Sequence, residues 1–542
     1  MKIKKTVSIA ILFVLLATGI TFSQSKTVAA ISEIQNVSGD GTIGTFHSTD
    51  SEQIQQLVNK IKNARNTGDT EAAHLYQNQL NELTGAVKLN TPNINVTTSG
   101  AAEHDNLSVT TLNTNHNVTA AAIGTNRLNG DLYAVYARYA AAGDEIFLYR
   151  STNNGISWNY VTFFSMTILP NFHFRNNELD MEVVARSDSA FIWVTAGADY
   201  DTYSSAFAFK FRQDGQSLSI KQLNFPTTNL KYRFPRIASD NAKYSASPYV
   251  YIMYSLDSIT GSTKFIKSKF LLVDNPYSLV PNFIEKSNAP MGAYVYYTPS
   301  AVPDSAFMQN DICFANMPGD SDVVIQTALL RGAAAFLPTA LYFSTTTSFG
   351  TIIKSSYQLA DTKYLESPRI ASSGYLSNKV MVAVRRLFSS GDWDPYYYLS
   401  QNFNTVNGNF AYSGYVSLST DTTLSIDVAA RPHSYDQFLF AYANKRGTGN
   451  AIPLARPFNS QGPAGLEYNA APIGSFCSST NGIPVAGFRF VNNDSCLIGW
   501  GNSSGLGYTV TGGCSGTMTG VSGNPSLVDG YSLSQNYPNP FN

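Results

Sequence analysis

The 542-residue chain predicts an all-β fold of repeated units, and three observations carry that prediction. From about residue 93 onward, short β-forming runs alternate with Gly, Asn, Ser and Asp turns, and no long helical period returns. The chain is 43% hydrophobic and 13% aromatic, with 32 Tyr and 32 Phe, so it can bury a large core made of strand formers. A five-residue string, Pro235-Arg-Ile-Ala-Ser239, returns as Pro368-Arg-Ile-Ala-Ser372, 133 residues later.

The N-terminus comes first in order. Lys2, Lys4 and Lys5 precede an apolar run from Val7 to Phe22, and Thr21-Phe22-Ser23 offers a cut ahead of Gln24. This reads as a secretory signal peptide over 1–23. The run is short for a membrane span and no basic stop-transfer cluster follows it, so no transmembrane anchor is expected after cleavage. No cysteine stands at the cut, which argues against a lipid anchor.

Residues 24–92 form an N-terminal segment, and within it 49–85 predicts a short α-helical hairpin. Thr49-Asp-Ser-Glu52 has the capping-box pattern, and Ile54, Leu57, Val58 and Ile61 follow at helical spacing. Asn66-Thr-Gly-Asp69 interrupts the period, which resumes at Ala72, Leu75, Tyr76, Leu80 and Leu83 and closes at Gly85. Each helix has one modest apolar stripe, which suits a packing appendage.

The body is assigned to 93–524. Besides the Pro-Arg-Ile-Ala string, Leu179-Asp-Met-Glu-Val-Val-Ala-Arg186 matches Leu424-Ser-Ile-Asp-Val-Ala-Ala-Arg431 at an offset of 245. Laying out units by such strands gives starts near Val118, Met181, Arg236, Ala306, Arg369, Ile426 and Pro484. The intervals cluster at about sixty residues, which suits four-stranded blades with long loops. The expected architecture is a β-propeller of seven blades, with six as the alternative count.

One hairpin carries a family mark. Ser151-Thr-Asn-Asn-Gly-Ile-Ser-Trp158 follows the strand Glu145-Ile-Phe-Leu-Tyr149 and resembles the Asp-box of sialidase-like propellers. Asn153 stands in place of the aspartate and Ser157 in place of the threonine, and Gly155 and Trp158 are kept. The resemblance implies a turn between the outer two strands of a blade, with polar side chains on turn amides and a positive φ at glycine. Arg212–Leu218 and Ser344–Thr351 read as decayed copies. Because this turn lies away from the family's substrate site, it bears on fold and not on activity.

Sialidase chemistry needs arginines that clamp a carboxylate, a tyrosine nucleophile with a glutamate, and an aspartic acid/base. The family's Phe-Arg-Ile-Pro motif is absent from the first unit. Phe172-His-Phe-Arg175 lacks its proline, and Tyr232-Arg-Phe-Pro235 falls in the third unit. Arg138, Arg186, Arg385 and Arg431 close inner-type strands and are the candidate clamp, and Glu178 and Asp180 are the candidate acid/base pair. Scaffold roles are favoured for the arginines, because they recur at equivalent places. The loop carboxylate pairs Asp199/Asp201, Asp320/Asp322 and Asp392/Asp394 can supply hard oxygens to calcium, but none extends to an EF-hand loop, and no cofactor is required. Tyrosines at 294–297 and 396–398 can stack on sugars, but alternation of strand faces explains most of them. The six histidines form no His-Glu-x-x-His, and no Gly-x-Ser-x-Gly occurs.

Charged residues are only 13% of the chain against about 25% in ordinary soluble domains. The formal charge is −1, and loss of the signal's lysines takes it to about −4, so nucleic acid is not a partner. Four cysteines suit an oxidising destination, with Cys477 and Cys496 the preferred disulfide among three pairings.

The C-terminal segment, 525–542, is a linker leading to Leu533-Ser-Gln-Asn-Tyr-Pro-Asn-Pro-Phe-Asn542. Pro538 and Pro540 forbid a helix, since each lacks an amide donor and pushes the residue before it, Tyr537 and Asn539 respectively, away from helical angles. The string Asn536, Tyr537, Pro538, Asn539, Pro540, Phe541, Asn542 resembles the opening of the sorting domain of the type IX secretion system of Bacteroidetes. That resemblance implies a sorting β-sandwich of which only the first residues are present, a truncated domain. It also implies the type IX machinery as a partner and a destination outside a Gram-negative cell, secreted or on its surface. Two functions are expected from the whole: a non-catalytic module for an extracellular glycan or protein ligand, or a divergent sialidase-like exo-glycosidase.

Overall fold

The computed structural model describes most of residues 118–512, strand residues at 35–37, 43–45 and 110–112, and helical residues between 56 and 79. The signal peptide, Arg431 and Cys477 lie outside the described residues. So does the whole sorting string: Asn536, Tyr537, Pro538, Asn539, Pro540, Phe541 and Asn542 all fall beyond them, and the expected start of a sorting β-sandwich rests on the sequence resemblance alone.

A small hairpin pairs β1 (Gln35–Val37) with β2 (Ile43–Thr45). In the 49–85 region the described residues are helical, and Ala64 is buried with Ala72 and Tyr76 against Tyr244. Strand β3 (Thr110–Leu112) then enters the body.

Antiparallel meanders follow, each with its strands side by side in chain order. The first unit is β4 (Val118–Thr125), β5 (Leu132–Arg138), β6 (Glu145–Ser151) and β7 (Asn159–Ser165). The second is β8 (His173–Arg186), β9 (Ser189–Tyr200), β10 (Tyr203–Arg212) and β11 (Ser217–Gln222). The third is β12 (Leu230–Ser239), β13 (Val250–Thr260), β14 (Thr263–Asp274) and β15 (Asn282–Glu285), with β16 (Tyr294–Tyr296) added on β14. One parallel bridge, Ser204 to Lys231, joins the second and third units.

The fourth unit is β17 (Phe307–Met317), β18 (Ser321–Arg331), β19 (Ala340–Thr347) and β20 (Ile352–Ala360). The fifth is β21 (Leu365–Ser372), β22 (Val380–Ser389), β23 (Asp392–Ser400) and β24 (Tyr412–Tyr415). The sixth is β25 (Thr422–Ala430), β26 (Gln437–Lys445) and β27 (Ala451–Asn459), edged by β28 (Gly462–Pro463) and β29 (Tyr468–Asn469). The last comprises β30 (Gly487–Phe490), β31 (Ser495–Asn502) and β32 (Gly505–Gly512), and its fourth strand is β3 from the other end of the body.

The first strand of each unit is the innermost. These strands touch in the order β4, β8, β12, β17, β21, β25 and β30, and β30 touches β4 again, so the units form a closed, propeller-like ring. Small residues permit the approach. A Cβ on Gly124 of β4 would stand 2.8 Å from Val183 Cγ2 of β8.

The core lies between units rather than within them. Ile192, Val194 and Ala196 of β9 face the first unit, whereas Phe191 and Trp193 face the third. Val380, Val382 and Val384 of β22 face the fourth unit, and Met381 and Ala383 face the sixth. Alternation with both faces buried explains why these strands read as unbroken apolar runs. Each buried large side chain contributes about 1.5–3 kcal/mol, and Trp193, Tyr133, Tyr251 and Phe207 are all fully buried.

The hairpin with the family mark turns between β6 and β7. Ser151 Oγ accepts from the Gly155 amide at 2.9 Å, Asn153 Oδ1 accepts from the Ser157 amide at 2.9 Å, and Gly155 sits at φ 82°. Trp158 is half-buried. The two segments read as decayed copies turn at the same place in their units, between β10 and β11 and between β19 and β20, with Gly215 and Gly350 also at positive φ.

Candidate functional site

In an antiparallel meander the start of the innermost strand lies beside the end of the second strand, as His173 pairs with Asp199 and Leu365 with Arg386. These ends together make one face of the ring, here called the mouth. The β6–β7 turn lies on the opposite face.

At the mouth three of the innermost strands are irregular in the same way. β8 slips register between Phe174 and Leu179, β12 between Arg233 and Arg236, and β21 between Glu366 and Arg369. Each bulge contains a non-glycine residue at positive φ: Asn177 at 60°, Phe234 at 50° and Ser367 at 54°. In β12 and β21 the cause is local. Pro235 and Pro368 have no amide to give the ladder and bar the residue before them from the helical region. Bulges of this kind re-aim side chains, and strained residues cluster at ligand sites.

The amides that the bulges release are taken up by the preceding unit. Phe234 donates to Glu178 Oε2 at 2.8 Å and Ile237 donates to Asp180 Oδ2 at 3.0 Å. Two units on, Ser367 donates to Gln309 Oε1 at 2.7 Å and Ile370 to Asp311 Oδ2 at 2.6 Å. The Pro-Arg-Ile-Ala string is therefore half of a clasp, and Glu178-x-Asp180 and Gln309-x-Asp311 are the other half.

Around Glu178 the mouth becomes a charge cluster. The Glu178 side chain is only 3% exposed, with Arg175 Nη1 at 3.7 Å and Arg233 Nε at 4.0 Å from its Oε1. Arg175 also donates through Nε to Asp199 Oδ2 at 2.7 Å and through Nη2 to Asp199 and Ser204. Burial pushes the Asp199 carboxyl up, but the bonds from Arg175 and Ser204 outweigh it and hold the group below its ordinary range. Gly197 leaves the room: a Cβ there would stand 2.0 Å from Glu178 Oε2.

Below the mouth, Asp180, Arg236, Asp311, Arg369 and Asp427 come from five consecutive innermost strands and alternate in sign. Arg236 is buried and donates to Asn177 O at 3.1 Å. Its pKa is pushed down to about 10 by burial and by the Arg369 guanidinium. Burial pushes Asp311 up to about 7 against the pull of Arg369. Arg369 Nε is 3.9 Å from Asp427.

The other expected site residues do not converge. Arg138 pairs with Glu145 at 2.6 Å and Arg385 with Glu366 at 3.0 Å; both sit at the mouth but on second strands, not on the axis. Arg186 lies on the opposite face, 2.8 Å from Asp188. Asp320 and Asp322 share the ammonium of Lys243 at 2.7 and 2.6 Å, and Asp199 holds Arg175. Asp201 occupies the β9–β10 turn at φ 50°. Asp392 and Asp394 open β23, Asp394 being buried. Among the described residues no three His, Cys, Asp or Glu side chains are grouped to hold a metal ion.

Tyr396, Tyr397 and Tyr398 are core residues, as alternation of strand faces leads one to expect: all three are buried, on alternating faces of β23. Cys313 is a buried free thiol. Arg175 and Arg233 are the pair that sequence reasoning misses. Both stand in the two imperfect Phe-Arg strings, and their shared partner, Glu178, is the signal.

No protein-family model matches the chain, and no curated protein matches it. Similar solved structures include an α-L-arabinanase of Penicillium chrysogenum complexed with arabinobiose, 11% identical over 74% of this chain and 98% of that one, with a TM-score of 0.36. The six-bladed fucose-recognising lectin of Aleuria aurantia is 11% identical over 67% and 100%, at 0.35. A subtype N10 neuraminidase-like protein of the virus A/little yellow-shouldered bat/Guatemala/060/2010 is 7% identical over 65% and 98%, at 0.34. At such scores no residue, activity or ligand is carried over from these proteins to this chain.

Proposed function

We propose that the chain is an exported, seven-bladed β-propeller that binds an extracellular glycan or protein ligand at the bulged mouth and does not turn it over. One observation carries the reading. Each described arginine of the expected clamp already faces a nearby carboxylate, Arg138 with Glu145, Arg186 with Asp188 and Arg385 with Glu366. A clamp for a substrate carboxylate needs unmatched guanidiniums converging on one point. The mouth instead offers alternating donors and acceptors of near-zero net charge beside Phe234, which suits hydroxyl-rich or polar surfaces. The signal-like 1–23 and the Asn536–Asn542 string support export by the type IX route to the surface or the medium, with calcium as an optional stabiliser.

The test is a glycan-array and fluorogenic-glycoside screen on the purified chain, with and without calcium. Binding without turnover, weakened by Arg233→Ala, is the expected result. Turnover of a sialoside would replace this reading with the divergent exo-glycosidase, and Glu178 and Asp180 would be the first residues to change.

A further inference from the structure

A cleft of about 710 Å³ opens on the face opposite the mouth, between the fourth and fifth units. Three connections build it: the β17–β18 turn, the β19–β20 turn and the segment 403–406 between β23 and β24. Its size is that of a small-molecule site. It plays no part in the reading of the mouth.

Its chemistry restricts what it can take. Among the described residues Asp322 is the one charged residue lining it. That carboxylate accepts from Lys243 Nζ at 2.6 Å, Tyr244 Oη at 2.6 Å and Asn316 Nδ2 at 2.8 Å, so its charge is already matched. The apolar wall includes Phe403, and Ile353 and Val406 stand on the rim 40% and 50% exposed. The segment 403–406 is held in shape. Thr345 Oγ1 donates to Thr405 O at 2.6 Å, and Asn404 Oδ1 accepts from the Val406 amide at 2.8 Å. Among the described residues the Asn404 Nδ2 group donates to no protein acceptor.

We propose that this cleft binds an uncharged saccharide end group. A sugar ring presents an apolar C–H face and a rim of hydroxyls, and the cleft presents an apolar wall and a rim of amide and hydroxyl groups. A uronate would bring a carboxylate into a described lining that offers it no cation, the nearby Lys243 ammonium being already held by Asp320 and Asp322, which is penalised.

The experiment titrates the full chain with the methyl glycosides of glucose, galactose and xylose, and with glucuronate, by calorimetry. Val406→Arg and Ile353→Arg fill the rim from exposed positions, and their melting temperatures report intact folding. Arg233→Ala serves as the mouth control. The expected result is saturable binding of at least one neutral glycoside, about tenfold weaker in either rim variant (about 1.4 kcal/mol). The part of the binding that the rim variants remove should persist in Arg233→Ala, which acts only on the mouth, and should be weaker for glucuronate. Binding that survives both rim variants, binding lost only in Arg233→Ala, or no binding of any neutral glycoside would each overturn the proposal. The second of those outcomes would still leave the mouth reading intact.

Discussion

The amide of Phe234 donates to Glu178 Oε2 across the boundary between the second and third units, as the amide of Ser367 donates to Gln309 Oε1 across that between the fourth and fifth. The two bonds occupy equivalent places in a repeat, yet one acceptor is charged and the other neutral. The charge has a local reason at Glu178, where Arg175 and Arg233 both approach the carboxylate. Removing one partner from a buried ionic cluster costs far more than the cluster contributes net, because the remaining charges stay buried.

Glu178→Ala is therefore expected to destabilise the chain by about 3–5 kcal/mol, and Glu178→Gln by less, since the amide oxygen still accepts from Phe234. Gly197→Ala should resemble Glu178→Ala, because its Cβ would occupy the space of the Glu178 carboxylate. Urea unfolding midpoints of the three variants check this. A Gly197→Ala protein as stable as the parent would show that Glu178 is free to move.

In the β6–β7 turn, Asn153→Asp should be close to neutral, because the Oδ1 that accepts from the Ser157 amide is kept. Gly155→Ala places a Cβ at φ 82°, where L side chains are disfavoured, and should cost about 1 kcal/mol or more. Thermal unfolding of the two variants side by side separates the polar from the conformational part of the turn.

Arg386 lies against the rings of both Tyr396 and Tyr415, 4.5 and 5.2 Å from their centroids, and grips Asp361 through Nε and Nη2 at 3.0 and 2.8 Å. Lysine keeps the charge but neither the fork nor the flat stacking surface. Arg386→Lys should lower stability by about 1–3 kcal/mol, more than an exposed pair would lose. Equal unfolding midpoints would mean that charge alone matters there.

Much of this fold was legible because it repeats. The seven unit starts read from the sequence fall in or within three residues of the innermost strands, since each such strand must bring apolar residues to two neighbours. The Pro-Arg-Ile-Ala strings proved equivalent because the same proline breaks the same ladder. The closing strand, Thr110–Leu112, was not legible: three residues pairing with β32 some four hundred positions away leave no local period. The clasp was hidden for a related reason. Glu178 and Phe234 are 56 positions apart, and nothing in either string names the other. Lys210 was invisible too, because a lysine in an alternating strand reads as solvent-facing.

That lysine and Asp311 together set the last expectation. Lys210 is fully buried on β10, donates to Ser278 O at 2.6 Å and has Phe191 and Trp193 rings at 4.7 and 5.5 Å. Burial, with the Arg186 guanidinium adding to it, pushes its pKa down to about 7. The unfolded chain then holds this proton between pH 7 and about 10.4 while the folded chain does not, so stability rises with pH across that window. Asp311 has the opposite sign. Raised to about 7, it keeps its proton in the folded state between about pH 4 and 7 while the unfolded chain has lost it, so stability falls as pH rises there. Their joint contribution has a trough near pH 7, with each flank worth ~2–4 kcal/mol. Lys210→Met should stabilise the chain most below pH 7, with the gain vanishing toward about pH 10.4. Asp311→Asn should do so most above pH 7, with its gain vanishing toward about pH 4. Urea unfolding of parent and variants from pH 4 to 10 reads each difference directly, and pH-independent differences would mean that neither group titrates in the folded protein as its burial requires.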